Sequence, residues 1–200
     1  MINILIYGAI AYVIYKVLFS GKRISFGNEK IKLEFIPSTQ YFLNVRSAVS
    51  VEEWETIAKV HYRRAKGHCE ICSKKGRLEC HELWSFDTSS FTQKLTGMVA
   101  LCHECHGGIH YGHTIHSKDR ADAARITKHL LKVNGWDVDQ LKDKMSDAQE
   151  EAGRLTRLAK KGPGGYKLDL TLLNQRTYKD AKLRKMTTDE RSKCVRKEAY

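Results

Sequence analysis

At 200 residues the chain has room for one domain with appendages or two small domains, and its 35 Lys+Arg against 23 Asp+Glu give a net charge of +12. That excess argues for a polyanion, either nucleic acid or an anionic membrane surface, with a merely solvated basic surface as the plain alternative. Six cysteines, with two C-x-x-C pairs in a lysine-rich chain and no cleavable signal, argue against a disulfide framework and for reduced thiols in a cytosolic compartment.

Ile2 to Phe19 is almost wholly apolar, broken only by Asn3, Gly8 and Lys16, and its apolar residues favour no single face. A helix of that character belongs in lipid or in a deep core, and ~18 residues is just enough to cross a bilayer. Lys22, Arg23, Lys30 and Lys32 follow on its C-terminal side. The positive-inside rule then keeps the rest of the chain cytoplasmic. Residues 1–20 are therefore read as a hydrophobic helix suited to anchoring the chain at the inner membrane through residues 2–19, with a buried core helix as the alternative. Residues 21–50 read as a short β segment and linker. Ile31, Leu33 and Phe35 alternate with charged neighbours, the period of a half-buried strand. Pro37-Ser38-Thr39 makes a turn, and Tyr41 to Val45 is expected to return as a second strand. Ser50 and Glu53 form a capping box at the start of a helix. It runs to about Ala65, with Trp54, Ile57, Ala58 and His61 or Tyr62 along one face.

Beyond Lys66-Gly67-His68 comes the densest chemistry: C-E-I-C at Cys69 and Cys72, C-H-E-L-W from Cys80 to Trp84, and L-C-H-E-C-H-G-G-I-H from Leu101 to His110. Each C-x-x-C presents two thiolates from one tight turn, and two such knuckles complete a zinc tetrahedron. Cys69, Cys72, Cys102 and Cys105 are thus the expected ligands of a structural Zn²⁺, which fastens a loop-rich unit that buries little core. Cys80 and Cys194 remain as ordinary thiols. His106 and His110 are four apart, so on a helix begun by the second knuckle they share a face, the spacing for two imidazoles on one ion. His81 lies on an alternating segment that suits a strand, which sets His81 and Glu82 on opposite faces unless a bulge intervenes. A strand, a loop and a helix converging on a metal make a ββα-metal arrangement within an α+β fold. His103 and His113 flank it and read as surface histidines.

Lys118 to Val133 is helical in pattern and Asn134-Gly135 is a stop signal. Asp137 can cap the next helix, where Val138, Leu141, Met145, Ala148, Ala152, Leu155 and Ala159 recur in steps of three and four as a packing seam. Gly162-Pro163-Gly164-Gly165 is a connector, Tyr166 to Leu173 a short strand or extended docking segment, and residues 174–200 a basic tail.

The knuckles and histidines together resemble the HNH endonucleases, whose pattern is C-x-x-C, a histidine-containing pair on a strand, then L-C-x-x-C-H-x-x-x-H. The likeness is nearest to a bacterial and phage branch with an A-H-E-x-W motif, and V-N-G-W at Val133–Trp136 and L-D-L at Leu168–Leu170 follow in the order of that branch. It spans 51–173. The resemblance implies a metal-dependent hydrolase of phosphodiester bonds in DNA, with His106 and His110 holding a catalytic divalent ion (Mg²⁺, Mn²⁺, Ni²⁺ or Zn²⁺). His81 is expected to be the general base. In the other register it is a third ligand and Glu82 holds the base position. The family's asparagine that orients the base is missing from Leu95-Thr96-Gly97-Met98, so Thr96 or a backbone group is the candidate replacement. The competing readings are a zinc-stabilised DNA-binding module without nuclease activity, and a membrane-anchored protein whose finger binds another protein.

Overall fold

Among the described residues, the forty before Cys69 and the helices after Cys105 pack around a β-hairpin and the helix that follows it. The structure is a computed structural model in which residues 29–174 are described. The apolar stretch Ile2–Phe19, Cys194 and most of the basic tail lie outside them. Among the described residues the fold is α+β, in the order α1 Val45–Ala48, α2 Val51–Ala65, β1 Glu79–Asp87, β2 Thr92–Leu101, α3 His103–Ile109, α4 Tyr111–Ile115, α5 Arg120–Asn134, α6 Val138–Lys161 and β3 Lys167–Asp169. Strand order is β1-β2-β3, with β1 and β2 antiparallel and β3 parallel to β2. No described helix is long and apolar enough to cross a membrane.

The pairing sets His81 opposite Val99 and Glu82 opposite Met98, and the register shifts only later, between Leu83 and Trp84. Alternation therefore holds at the histidine. Val99 and Leu101 pack with Ile109 of α3, Leu130 of α5 and Leu141 of α6. Cys80, Leu95 and Met98 pack on the other face with Ile57 and Ala58 of α2 and with Leu168 and Leu170. The sheet is covered on both sides, which at ~25 cal/mol per Å² of apolar surface makes these two clusters the main stabilising burial.

α2 begins at the expected box: the Ser50 hydroxyl accepts from Glu53 N–H while the Glu53 carboxylate accepts from Ser50 N–H. It ends on Lys66 in the left-handed region (φ 51°), and Gly67 continues there (φ 75°) to turn the chain into the first knuckle. α5 stops at Gly135 with φ 70°, and Asp137 caps α6 in a box with Gln140. The seam of α6 buries Leu141, Ala152, Leu155 and Ala159. Val138 instead stands 55 % exposed at the helix's first position, before the seam meets the core.

The segment before α1 departs from the expected hairpin. Ile31 and Leu33 are buried and Lys32 is exposed, as alternation predicts. No strand forms, because other groups take the backbone. Asn134 Nδ2 donates to Ile31 O and its Oδ1 accepts from Ile31 N–H, both at 2.8 Å, and Glu34 N–H donates to Ile109 O at 2.9 Å. Residues 38–40 form a 3-10 turn, and Asn44 and Ser47 cap α1 reciprocally where a second strand was expected. Short polar side chains that can bond their own backbone favour caps over ladders. Asn134→Ala strips both partners from Ile31, so urea unfolding should report a loss of roughly 2 kcal/mol. A midpoint unchanged from the parent chain would show that this clasp carries no stability.

Candidate metal centre

Two donor sets of different chemistry flank the hairpin. The first is the cysteine cluster. Gly67 and Lys66 deliver the chain to Cys69, and a tight turn follows in which Ser73 N–H donates to Cys69 O and Cys69 N–H to Lys74 O, each at 2.9 Å. The second pair lies at the end of β2, where Cys102 is the N-cap of α3 and Cys105 lies in its first turn. The four sulfurs lie within 4.8 Å of one another, and Cys72 and Cys102 are 3.6 Å apart. A tetrahedron with Zn–S bonds of ~2.3 Å has edges of ~3.8 Å, so the cluster matches a zinc site in type and spacing. Cys69, Cys102 and Cys105 are buried and Cys72 is half-buried. His129 Nε2 on α5 lies 3.1 Å from Cys105 Sγ, placed to donate to a thiolate. Cys80 faces α2 instead. Burial pushes its thiol up to about 12, and it acts as a small packing residue.

The second set is His81, His106 and His110, with one ring nitrogen from each lying within 4.8 Å of the others. His81 comes from β1, while His106 and His110 come from successive turns at and just beyond α3. Their ring centroids are 5.3, 4.8 and 4.9 Å apart, each pair meeting edge to face. Burial, and then the neighbouring His81 and His106, push His110 down to about 3. Burial also lowers His106. These two rings are therefore neutral near pH 7 and keep a lone pair for an ion. His81 Nε2 is buried without a hydrogen bond. An orphaned ring nitrogen facing two neutral imidazoles fits a divalent cation. Gly107 lets α5 close on this turn of helix, since a Cβ there would stand 2.6 Å from Ile126 Cδ1.

Glu82 does not join the triad. It lies on the α2 face of the hairpin, its Oε1 accepts from Val45 N–H at 3.0 Å, and burial raises it to about 7. Thr96, weighed as a replacement for the missing asparagine, donates to Leu83 O at 3.0 Å, at the bulge rather than at His81. His113 is exposed. His103 is half exposed, with Nδ1 3.1 Å from Glu79 Oε1 and Nε2 2.9 Å from Asp122 Oδ2. Hydrogen bonds that its ring N–H groups donate to Asp122, then to Glu79, raise its pKa.

Four residues outside the motif shape the site. Glu79 Oε2 binds His106 Nδ1. That fixes the ring and leaves its Nε2 free for an ion, the outer-shell arrangement of metal-ligating histidines. Alternation could have found it, since Glu79 and His81 are two apart on one strand. Glu34, Arg46 and Trp54 carry no such signal. Tertiary packing brings them into the wall of a cleft of about 330 Å³ that also includes all three histidines and Glu82. Arg46 lies with its guanidinium carbon 4.7 Å from the Trp54 ring centre. Tyr41, 64 % exposed, lines the same cleft.

No family model, curated protein or solved structure matches this chain.

Proposed function

We propose that the chain is a metal-dependent endonuclease of the HNH kind, a ββα-metal hydrolase of phosphodiester bonds in DNA. One observation carries the reading: three imidazoles from β1 and from the helix after β2 converge on one point, beside a separate cysteine cluster that ties the turn before β1 to the start of that helix. Thiolate tetrahedra are closed structural sites, whereas three imidazoles leave positions open for water and substrate. Of the two roles open to His81, ligation fits better, because one of its ring nitrogens lies within 4.8 Å of a nitrogen on each of the other two histidines and its Nε2 is buried without a hydrogen bond.

When bound at the triad, a divalent ion supplies Lewis-acid chemistry, neutralising charge on a scissile phosphate and on the leaving oxygen. The side chains do the rest. Glu79 holds the His106 ring so that its inner nitrogen is the ligand. Arg46, steadied over Trp54, turns a guanidinium into the cleft, where it pairs with a phosphate of the strand. Glu82, in the cleft wall, takes the proton from the attacking water. The +12 net charge draws the polyanion in and makes binding salt-dependent.

The test is incubation of the purified chain with supercoiled plasmid in Mg²⁺, Mn²⁺ or Ni²⁺, with an EDTA control. Nicked and linear products are expected with a divalent ion and none in EDTA. Salt-sensitive DNA binding without nicking under any ion would instead make the chain a zinc-stabilised binding module.

A further inference from the structure

We propose that the cleft beside the histidine centre takes one unpaired nucleotide of a DNA strand, its base stacked on Tyr41 and its phosphate paired with Arg46. This rests on the nuclease reading above and names its substrate: a strand that is single or opened at the cut, not a closed duplex. β1 is the outer strand of the sheet. Residues from both of its faces line the cleft, His81 from one and Cys80, Glu82 and Trp84 from the other, so the cleft follows the outer edge of the strand. The rest of the wall includes Tyr41 from the segment before α1, Arg46 from α1 and Trp54 from α2.

Tyr41 is 64 % exposed, yet the backbone that carries it is fastened on both sides. Before it, Gln40 is buried and its Nε2 donates to Tyr166 O at 3.1 Å. After it, Leu43 O accepts from Gln93 Nε2 at 3.1 Å, and Leu43 N–H donates to Gln40 O at 3.0 Å. The fold thus holds the backbone of a large, mostly uncovered ring at a fixed place in the cleft wall. A single exposed aromatic is ordinary on a protein surface. One that shares a cleft with two tryptophans and an arginine has the composition of a stacking platform for nucleobases. Trp54 already carries the Arg46 guanidinium, and both tryptophans are half-buried against the core beside α2. Stacking therefore falls first to Tyr41.

Charge and size select an unpaired base. Arg46 is the only lysine or arginine among the described residues that line the cleft, beside the carboxylates of Glu34 and Glu82. Duplex DNA is held largely through many phosphate contacts, and this wall offers one guanidinium. Affinity has to come from the rings, and they can reach the face of a base only when it is out of its own stack. A volume of about 330 Å³ is at the small end of ligand sites and suits one nucleotide. Gln40 belongs to the same wall, and its Oε1 is buried without a hydrogen bond, an acceptor left over for a base N–H.

The test measures fluorescence anisotropy of a labelled single-stranded deoxyoligonucleotide, and of the same strand annealed to its complement. It uses the full-length zinc-loaded chain at about 0.2 M salt, where phosphate contacts alone count for less, for the parent, Tyr41→Ala and Tyr41→Phe. The parent should hold the single strand at least about tenfold more tightly than the duplex. Tyr41→Ala should weaken the single strand by about fivefold or more, the loss of one stacked base, and leave duplex binding and the melting transition as in the parent. Tyr41→Phe, which keeps the ring, should bind like the parent. Equal affinity of the parent for both forms overturns the proposal, as does a Tyr41→Ala chain that keeps the parental preference. In either case metal-dependent nicking of plasmid would leave the nuclease reading standing. A single-strand preference that depends on Tyr41, in a chain that nicks under no ion, would keep the nucleotide site and overturn the nuclease reading instead.

Discussion

Cys102→Ser should cost the chain its structural zinc and, with it, most of the stability of the region around the hairpin. Structural zinc sites carry apparent binding free energies of ~10–16 kcal/mol near neutral pH. That is as large as the ~5–15 kcal/mol that holds a typical domain folded. The cluster is not peripheral: Cys69, Cys102 and Cys105 belong to the same buried core as Leu101, Ile109, Leu130 and Leu141. Cys102 is also the residue at which β2 passes into α3. Losing the ion would leave thiols crowded within 4.8 Å of one another with nothing to bind. The expected result is a sub-stoichiometric zinc content, a melting transition lowered by ten degrees or more (roughly 3 kcal/mol at ~2–4 °C per kcal/mol), and lost amide protection in β1, β2 and α3. Cys80→Ser, on the opposite face, should keep its zinc. A Cys102→Ser protein without zinc that melts like its parent would mean that the four cysteines merely pack.

How much of this was readable beforehand follows the range of the interactions. The start of α2, the stop of α5 and the start of α6 depend on residues within a few positions of one another. Ser50 with Glu53, Asn134 with Gly135, and Asp137 gave them at near-residue accuracy. The cysteine knuckles were legible for the same reason, since each pair is one turn. So was the His106–His110 pair, whose spacing is set by helix geometry. The segment before α1 was not. Ile31 and Leu33 alternate with charges as in a strand, but the partner that decides their fate is the Asn134 side chain, 103 residues away. Val138 continues the period of its seam and still faces water, because periodicity says which face a residue occupies and not whether anything covers it. His129, Arg46 and Glu34 reach their sites only through tertiary packing. The expected membrane helix at Ile2–Phe19 lies outside the described residues.

His106→Ala is expected to abolish plasmid nicking, by about 10³-fold or more (roughly 4 kcal/mol of transition-state stabilisation). Its zinc content and fold should not change, because its ring serves the triad and not the cysteine cluster. The same experiment on its neighbours separates the two roles left open for His81. A ligand and a proton acceptor fail differently. Removing a ligand weakens ion binding, so His81→Ala should lose Co²⁺ affinity together with nicking, and raised metal should restore part of the activity. Removing the proton acceptor leaves ion affinity intact and lowers turnover alone, by about 10²–10⁴-fold, which is the behaviour expected of Glu82→Gln. The orientation of the strand gives reason to expect this split. His81 and Glu82 are adjacent, alternation is undisturbed at that point, and only His81 faces the other two histidines. If His81→Ala binds Co²⁺ like the parent yet does not nick, the assignments exchange. His81 then holds the proton-transfer role, and Glu82, bonded to Val45 N–H and packed against the α2 face, is a structural carboxylate that braces α1 against the hairpin.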